Sequence, residues 1–208
     1  MKALVLVTAL FFLSCQSKGT DASSVSAMVN TYQNLDTATF AGGCFWCVEA
    51  SFEQIKGVVE AVSGYSGGKK ATADYRMVSS GMTSHAEAVQ VYYDPEVIDY
   101  ETLLDIFFTA HDPTQLNRQG PDVGEQYRSE IFYHNEEQRK LAAAKMEALA
   151  PAFDQKIVTR LSKLDAFYPA EDYHQDYEKK HPNNGYIVNV SRPKIEKVAK
   201  KFKHLLKE

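Results

Sequence analysis

Residues 38–68 read ATFAGGCFWCVEASFEQIKGVVEAVSGYSGG. The opening ATFAGG predicts a short strand closed by two glycines. After it, Val48, Phe52 and Ile55 recur at helical spacing until Gly57 ends the run. VVEAVSGYSGG then predicts a second strand running into a glycine turn. A β-α-β order is therefore set early in the chain. Cys44 and Cys47 fall where the first strand hands over to the helix, with Phe45 and the only tryptophan, Trp46, between them.

Working outward, HAEAVQVYYDP (85–95) predicts a strand closed by Asp-Pro, and YETLLDIFFTAHDP (100–113) an amphipathic helix stopped by Pro113. TQLNRQGPDVGEQ (114–126) is polar and rich in turn formers. QYRSEIFYH (126–134) predicts a strand, and NEEQRKLAAAKMEAL (135–149) a helix capped by Asn135. QKIVTRL (155–161) predicts a strand, and PAEDYHQDYEKKHP (169–182) a short helix between prolines. The tail, PKIEKVAKKFKHLLKE (193–208), puts Ile195, Val198, Phe202 and Leu205 on one helical face. This order predicts an α+β fold: an α/β sandwich with a mixed sheet, ferredoxin-like. The irregular segments at 64–84 and 112–126 are long, and loops of that length usually carry function.

The 208 residues suffice for one domain or two small ones. A net charge of -4 argues against a nucleic-acid partner, which needs a basic surface. Three cysteines do not make a disulfide framework. No run after residue 14 is long and apolar enough to span a bilayer. The start is different. MKALVLVTALFFLSC (1–15) has one lysine, a short apolar run, then Ser14-Cys15. We expect residues 1–14 to be a removed signal peptide. Cys15 is then a candidate for lipid attachment, as in a bacterial lipobox, although Phe12 stands where an aliphatic residue is usual; the alternative is a plain signal with an incidental cysteine. Residues 15–36, polar and Ser-rich, predict a flexible tether, and residues 37–208 the folded domain. Export, either to the periplasm or to a membrane through lipid on Cys15, would place the thiols where unprotected pairs oxidise.

What could Cys44 and Cys47 do? A metal site needs more ligands, and the six histidines show no metal-ligand spacing. A staple across so small a loop would remove little chain entropy. Buried inert cysteines are the bland alternative. A redox or nucleophilic pair fits the local pattern better. At a helix N-terminus, free N–H groups and the helix dipole favour an anion and lower a thiol pKa. Cys47, one turn later on the same face, lies close enough to form a disulfide with modest adjustment. The Phe-Trp spacer is bulkier than that of thioredoxin-type oxidoreductases, which suits a pocket for an apolar group. Core packing is the alternative use of both rings.

GGCFWCVEA, DYRMVSSGMTSHAEAVQVYYDP, LLDIFFTAHDPTQLNRQGPDVGEQYRSEIFY and FYPAEDYHQDY, in that order, resemble the blocks of the peptide methionine sulfoxide reductase A family. The resemblance covers roughly residues 37–205. It implies that residues 37–208 are a catalytic domain acting on methionine-S-sulfoxide, free or within proteins, with Cys44 as nucleophile. It places Glu87, Tyr75, Asp122 and Tyr127 among the active-site polar residues and Phe45 and Trp46 around the substrate methyl group. Many members have glycine in place of Cys47 and carry recycling cysteines in the C-terminal tail. This tail has none, so Cys47 is the resolving candidate.

The chemistry asks for such residues. A thiolate attacks a sulfoxide sulfur only if the oxygen is protonated as it leaves. A carboxyl partly buried beside aromatics holds a proton near neutrality, the role Glu87 would take; a solvated strand carboxylate is the alternative. The neighbours Ala86 and Ala88 leave open which sheet face Glu87 takes. Tyr75 and Tyr127 can donate phenolic hydrogen bonds. With twelve tyrosines in the chain, each alone is better explained by packing. Asp122, in Gly-Pro-Asp-Val-Gly, serves substrate positioning or turn formation. His85 reads as a structural hydrogen-bonder, and DYHQDY (172–177) as part of the site wall. The expected cycle leaves Cys44 as a sulfenic acid, closes a Cys44–Cys47 disulfide and reopens it with a thioredoxin-like dithiol. It needs neither metal nor organic cofactor, and the protein is expected to be a monomer. Two other functions stay open: a general C-x-x-C thiol–disulfide oxidoreductase, and a lipid-anchored module whose Phe-Trp pocket binds apolar side chains without turnover.

Overall fold

The computed structural model describes residues 34–208. The expected signal segment, Cys15 and nearly all of the tether lie outside the described residues. The chain runs β1 (Asp36–Gly42), α1 (Phe45–Glu53), β2 (Val58–Ser66), α2 (Tyr75–Ser79), β3 (Ala86–Tyr93) and α3 (Tyr100–Ala110). A small hairpin follows, β4 (Arg118–Gln119) and β5 (Asp122–Val123), then β6 (Ser129–Tyr133) and α4 (Glu136–Leu149). The last third holds β7 (Arg160–Lys163), β8 (Phe167–Pro169), α5 (Tyr177–Lys180), a π-helical turn at Ile187–Ser191 and α6 (Arg192–Lys201).

Six strands form one mixed sheet in the order β7-β6-β1-β3-β2-β8. Every pairing is antiparallel except β6 with β7. Along the chain, α1 joins β1 to β2, α2 stands between β2 and β3, and α3 with the β4–β5 hairpin leads from β3 to β6. β1 is central and buried on both sides. On one face Phe40 stacks against Phe52 of α1 at 5.3 Å and Phe107 of α3 at 4.9 Å. Leu103, Val198 and Phe202 complete this main core. On the other face Ala41, Ala86, Ala88 and Phe132 meet Leu164 and Phe167 from the chain around β7 and β8. The chain is thus α+β, a mixed sheet with its helices packed on one side.

Helix starts follow the capping residues. Asp99 accepts from the Thr102 N–H at 2.7 Å and Asn135 from the Gln138 N–H at 2.9 Å. Two expectations shift. The strand expected at 155–161 is displaced to Arg160–Lys163, because Glu130–Tyr133 pair with those residues while Val158 N–H donates to the Pro113 carbonyl. The helix expected over 169–182 shrinks to the single turn Tyr177–Lys180. Its expected first residue, Pro169, ends β8, which pairs with Gly64–Ser66; residues 172–176 form turns, and Asp176 just before the helical turn has a left-handed φ of 54°. The irregular 112–126 segment holds the β4–β5 hairpin. At the C-terminus, Lys56 N–H donates to Leu205 O and Lys207 N–H to Gln54 O, tying the end of the chain to the end of α1.

Candidate active site

β1 delivers the chain to Gly43, whose φ of +93° is a left-handed conformation. A Cβ there would lie 2.6 Å from the Gln119 side chain, so only glycine fits. Cys44 then occupies the N-cap of α1, with non-helical φ and ψ, and its carbonyl accepts the Cys47 N–H at 3.1 Å. The first amide of the helix, Phe45 N–H, is not aimed at a thiol: it donates to Glu87 Oε2 at 3.1 Å. Glu87 stands on β3 on the side of Val89 and Val91, facing the helices, opposite Ala86 and Ala88. The strand register and the helix start together bring Cys44 beside a carboxyl that is 2 % exposed.

Burial sets the protonation. It raises Glu87 from the ordinary carboxylate range to about 8, beyond what the Phe45 amide can offset, and the charges of Asp122 and Cys47 push the same way. Glu87 is therefore an acid at neutral pH. Burial also pushes the Cys44 thiol well above the usual cysteine range, and its hydrogen bond with Cys47 adds to this. The same hydrogen bond brings Cys47 down to about 7. Of the two thiols, Cys47 is the one drawn toward the thiolate. The lowered Cys44 expected from the helix N-terminus is not found, because the free amide serves Glu87 and the sulfur is desolvated. Both cysteines are free thiols.

A cavity of about 290 Å³ opens over these groups. Its lining includes every site residue anticipated in the folded domain except Cys47: Cys44, Phe45, Trp46, Tyr75, Glu87, Asp122 and Tyr127. Cys47 lies behind Cys44, its Sγ 3.0 Å from Ser191 Oγ. Tyr75 opens α2, and its backbone N–H donates to Glu171, which also accepts the Tyr65 hydroxyl. Arg128, donating to Glu125 O and Ser84 O, braces the turn carrying Tyr127. Burial, reinforced by Glu87, raises the phenols of Tyr75 and Tyr127, so both remain donors. His85 Nε2–H donates to Lys69 O at 3.0 Å, away from the cavity. A larger cleft of about 540 Å³, between α3 and α6, contains neither cysteine nor Glu87.

A family description, "Peptide methionine sulfoxide reductase", matches residues 36–206. The chain belongs to the peptide methionine sulfoxide reductase family. It is 55% identical to the peptide methionine sulfoxide reductase MsrA of Natronomonas pharaonis over 168 residues, 80% of this chain and 94% of that one. It is also 55% identical to the MsrA of Pasteurella multocida over 170 residues, 82% of this chain and 98% of that one. Among solved structures, Mxr1 from Saccharomyces cerevisiae in reduced form superposes with TM-score 0.70 at 38% identity, over 73% of this chain and 88% of that one. Mxr1 in complex with Trx2 superposes with TM-score 0.51 at 29% identity, over 69% of this chain and 85% of that one.

The reductase site also holds the wall expected of DYHQDY and two residues, Tyr186 and Asn184, that the sequence did not disclose. Trp46 stacks on Tyr177 at 3.7 Å with its ring nearly parallel, and its Nε1–H donates to His174 Nδ1 at 3.1 Å. These are the wall residues of the DYHQDY segment. A buried indole N–H calls for an acceptor, which was the available signal. Tyr186 and Asn184 complete the cavity lining. The Tyr186 hydroxyl donates to Asp122 Oδ2 at 2.6 Å, and it favours the thiolate form of both cysteines. Nothing in the PNNGYIVNVS pattern announced this.

Proposed function

We propose that this reductase removes the oxygen of methionine-S-sulfoxide, free or within proteins, by attack of Cys44 on the sulfoxide sulfur. One observation carries the assignment: a protonated Glu87, held by the Phe45 amide, beside Cys44 in a cavity with tyrosine donors and a tryptophan wall. Trp46 and Phe45 receive the methyl group. Tyr75 and Tyr127 donate to the oxygen, and Asp122 with Tyr186 orients the substrate. As the Cys44 sulfur bonds to the substrate sulfur, Glu87 hands its proton to the oxygen and takes up the Cys44 thiol proton; the hydroxyl then passes to the Cys44 sulfur as its bond to the substrate sulfur and that of Cys44 to the substrate sulfur break. Methionine leaves and the oxygen stays on Cys44 as a sulfenic acid. Cys47 then attacks Cys44, releasing water and closing a disulfide. An external dithiol reopens it by exchange. The complex of Mxr1 with Trx2 supports a thioredoxin-like reductant. Every electron comes from thiols.

The test is dithiothreitol-driven reduction of the two sulfoxide epimers offered separately. The S form should be consumed and the R form left, with no consumption by Cys44→Ser; consumption of both epimers alike would contradict the assignment. The protein acts as a monomer. It works outside the cytosol, in the periplasm or anchored through lipid on Cys15, a placement that rests on the layout of residues 1–15. Mass spectrometry of the mature N-terminus checks this, with diacylglyceryl on Cys15 as the expected result.

A further inference from the structure

Cys47 has a neighbour that the cavity over Glu87 does not include. Ser191 ends the π-helical turn Ile187–Ser191, is fully buried, and meets Cys47 Sγ at 3.0 Å. A π turn widens the helix by a residue, and such turns concentrate at functional sites. Lys194 follows one turn later on the same face of α6. Its stem is half-buried, but its Nζ is fully enclosed and has no hydrogen-bond partner. A buried, unpaired ammonium costs several kcal/mol unless an anion faces it. Its charge acts on Cys47 and on His111; Asp112 and Asp154 line the cleft beside it, but its Nζ bonds to neither.

We propose that Ser191 and Lys194 are positioning residues for the resolving step, holding Cys47 as a thiolate aimed at Cys44. The inference rests on the cycle proposed above and concerns its second half. There the Cys47 thiolate attacks the sulfur of the Cys44 sulfenic acid. The S–S bond forms, the S–O bond breaks, and the departing hydroxide takes the Glu87 proton to become water. The Cys44 sulfur is reduced as the Cys47 sulfur is oxidised. The groups facing Cys47 are Cys44 on its own helix, Tyr186 and Ser191 from the turn, Lys194 on α6, and Glu87 across the site. Lys194 is the cation among them. The thiolate hydrogen-bonded by Cys44 at rest is therefore still stabilised once Cys44 has become a sulfenic acid and that bond is gone.

The experiment mixes the protein with one equivalent of methionine-S-sulfoxide, without reductant, across a pH series. Methionine release reads the first half; loss of both free thiols, competed by dimedone, reads disulfide closure. Lys194→Gln should release methionine at the native rate. Its disulfide should close about tenfold more slowly at neutral pH, with the midpoint of closure moved up by about one pH unit. Lys194→Arg should restore the native midpoint, and Ser191→Ala should shift it by less, in the same direction. An unchanged midpoint in Lys194→Gln overturns the inference, as does an Arg variant no better than Gln. If Lys194→Gln does not fold, an unshifted midpoint in Ser191→Ala overturns it equally. If no methionine is released by the native chain, the cycle itself fails. Methionine released on schedule with an unmoved closure midpoint removes this inference alone.

Discussion

Glu87 is the residue on which the acid chemistry turns, and its burial has a measurable consequence for stability. Its carboxyl is protonated in the native state up to about 8, while an unfolded chain ionises it in the ordinary carboxylate range. Between those values the unfolded state holds fewer protons, so stability falls as pH rises through the window. Glu87→Gln removes this penalty while keeping the acceptor for Phe45 N–H. The variant should therefore gain on the native chain by about 1.4 kcal/mol per pH unit across that window, read by denaturant unfolding at several pH values. The same variant should lose on the order of 10²–10⁴ in kcat/KM for the S-sulfoxide, since it cannot give up a proton. A Gln variant with native activity would remove Glu87 from the acid role. Which face Glu87 takes was not legible in the sequence. β3 is buried on both sides, so Ala86 and Ala88 on one and Val89 and Val91 on the other look equally apolar.

At the scale of elements, the decisive device is the β1–α1 handover. It was legible because two periodicities meet at glycines with a physical task. Gly43 holds a φ of +93° against the Gln119 side chain, and Cys44 follows it directly. Gly43→Ala should cost about 1–3 kcal/mol in unfolding free energy and lower kcat/KM, because Cys44 must shift with the backbone. Gly185→Ala, where an added Cβ meets nothing within 4 Å, should stay within about 0.5 kcal/mol of the native chain. Equal losses in the two variants would contradict this account of the handover. The elements that the sequence misplaced lie between residues 155 and 191. Their local pattern is short or mixed, and long-range contacts decide their conformation. Phe167–Pro169 becomes a strand only because β2 offers an edge, and the turn at Ile187–Ser191 widens where Ser191 meets Cys47. His174, Tyr177 and Tyr186 converge on Trp46 from that same stretch, which is why no local signal named Tyr186 or Ser191.

At the scale of the whole molecule, the sheet order places β1 and β3 side by side at its centre, and the helices cover the face that Glu87 shares. The sheet supplies the acid, α1 the two sulfurs, and the chain that leads into α6 closes the back of the site. Cys44 is the one atom source through which every part of this arrangement must act. A single turnover of the Cys47→Ser protein with one equivalent of methionine-S-sulfoxide, followed by mass spectrometry of the Cys44 peptide, tests that most directly. The account predicts one methionine released per chain and one oxygen on Cys44, trapped by dimedone as a sulfenic acid. Methionine released with Cys44 unmodified, or released just as well by Cys44→Ser, would contradict it.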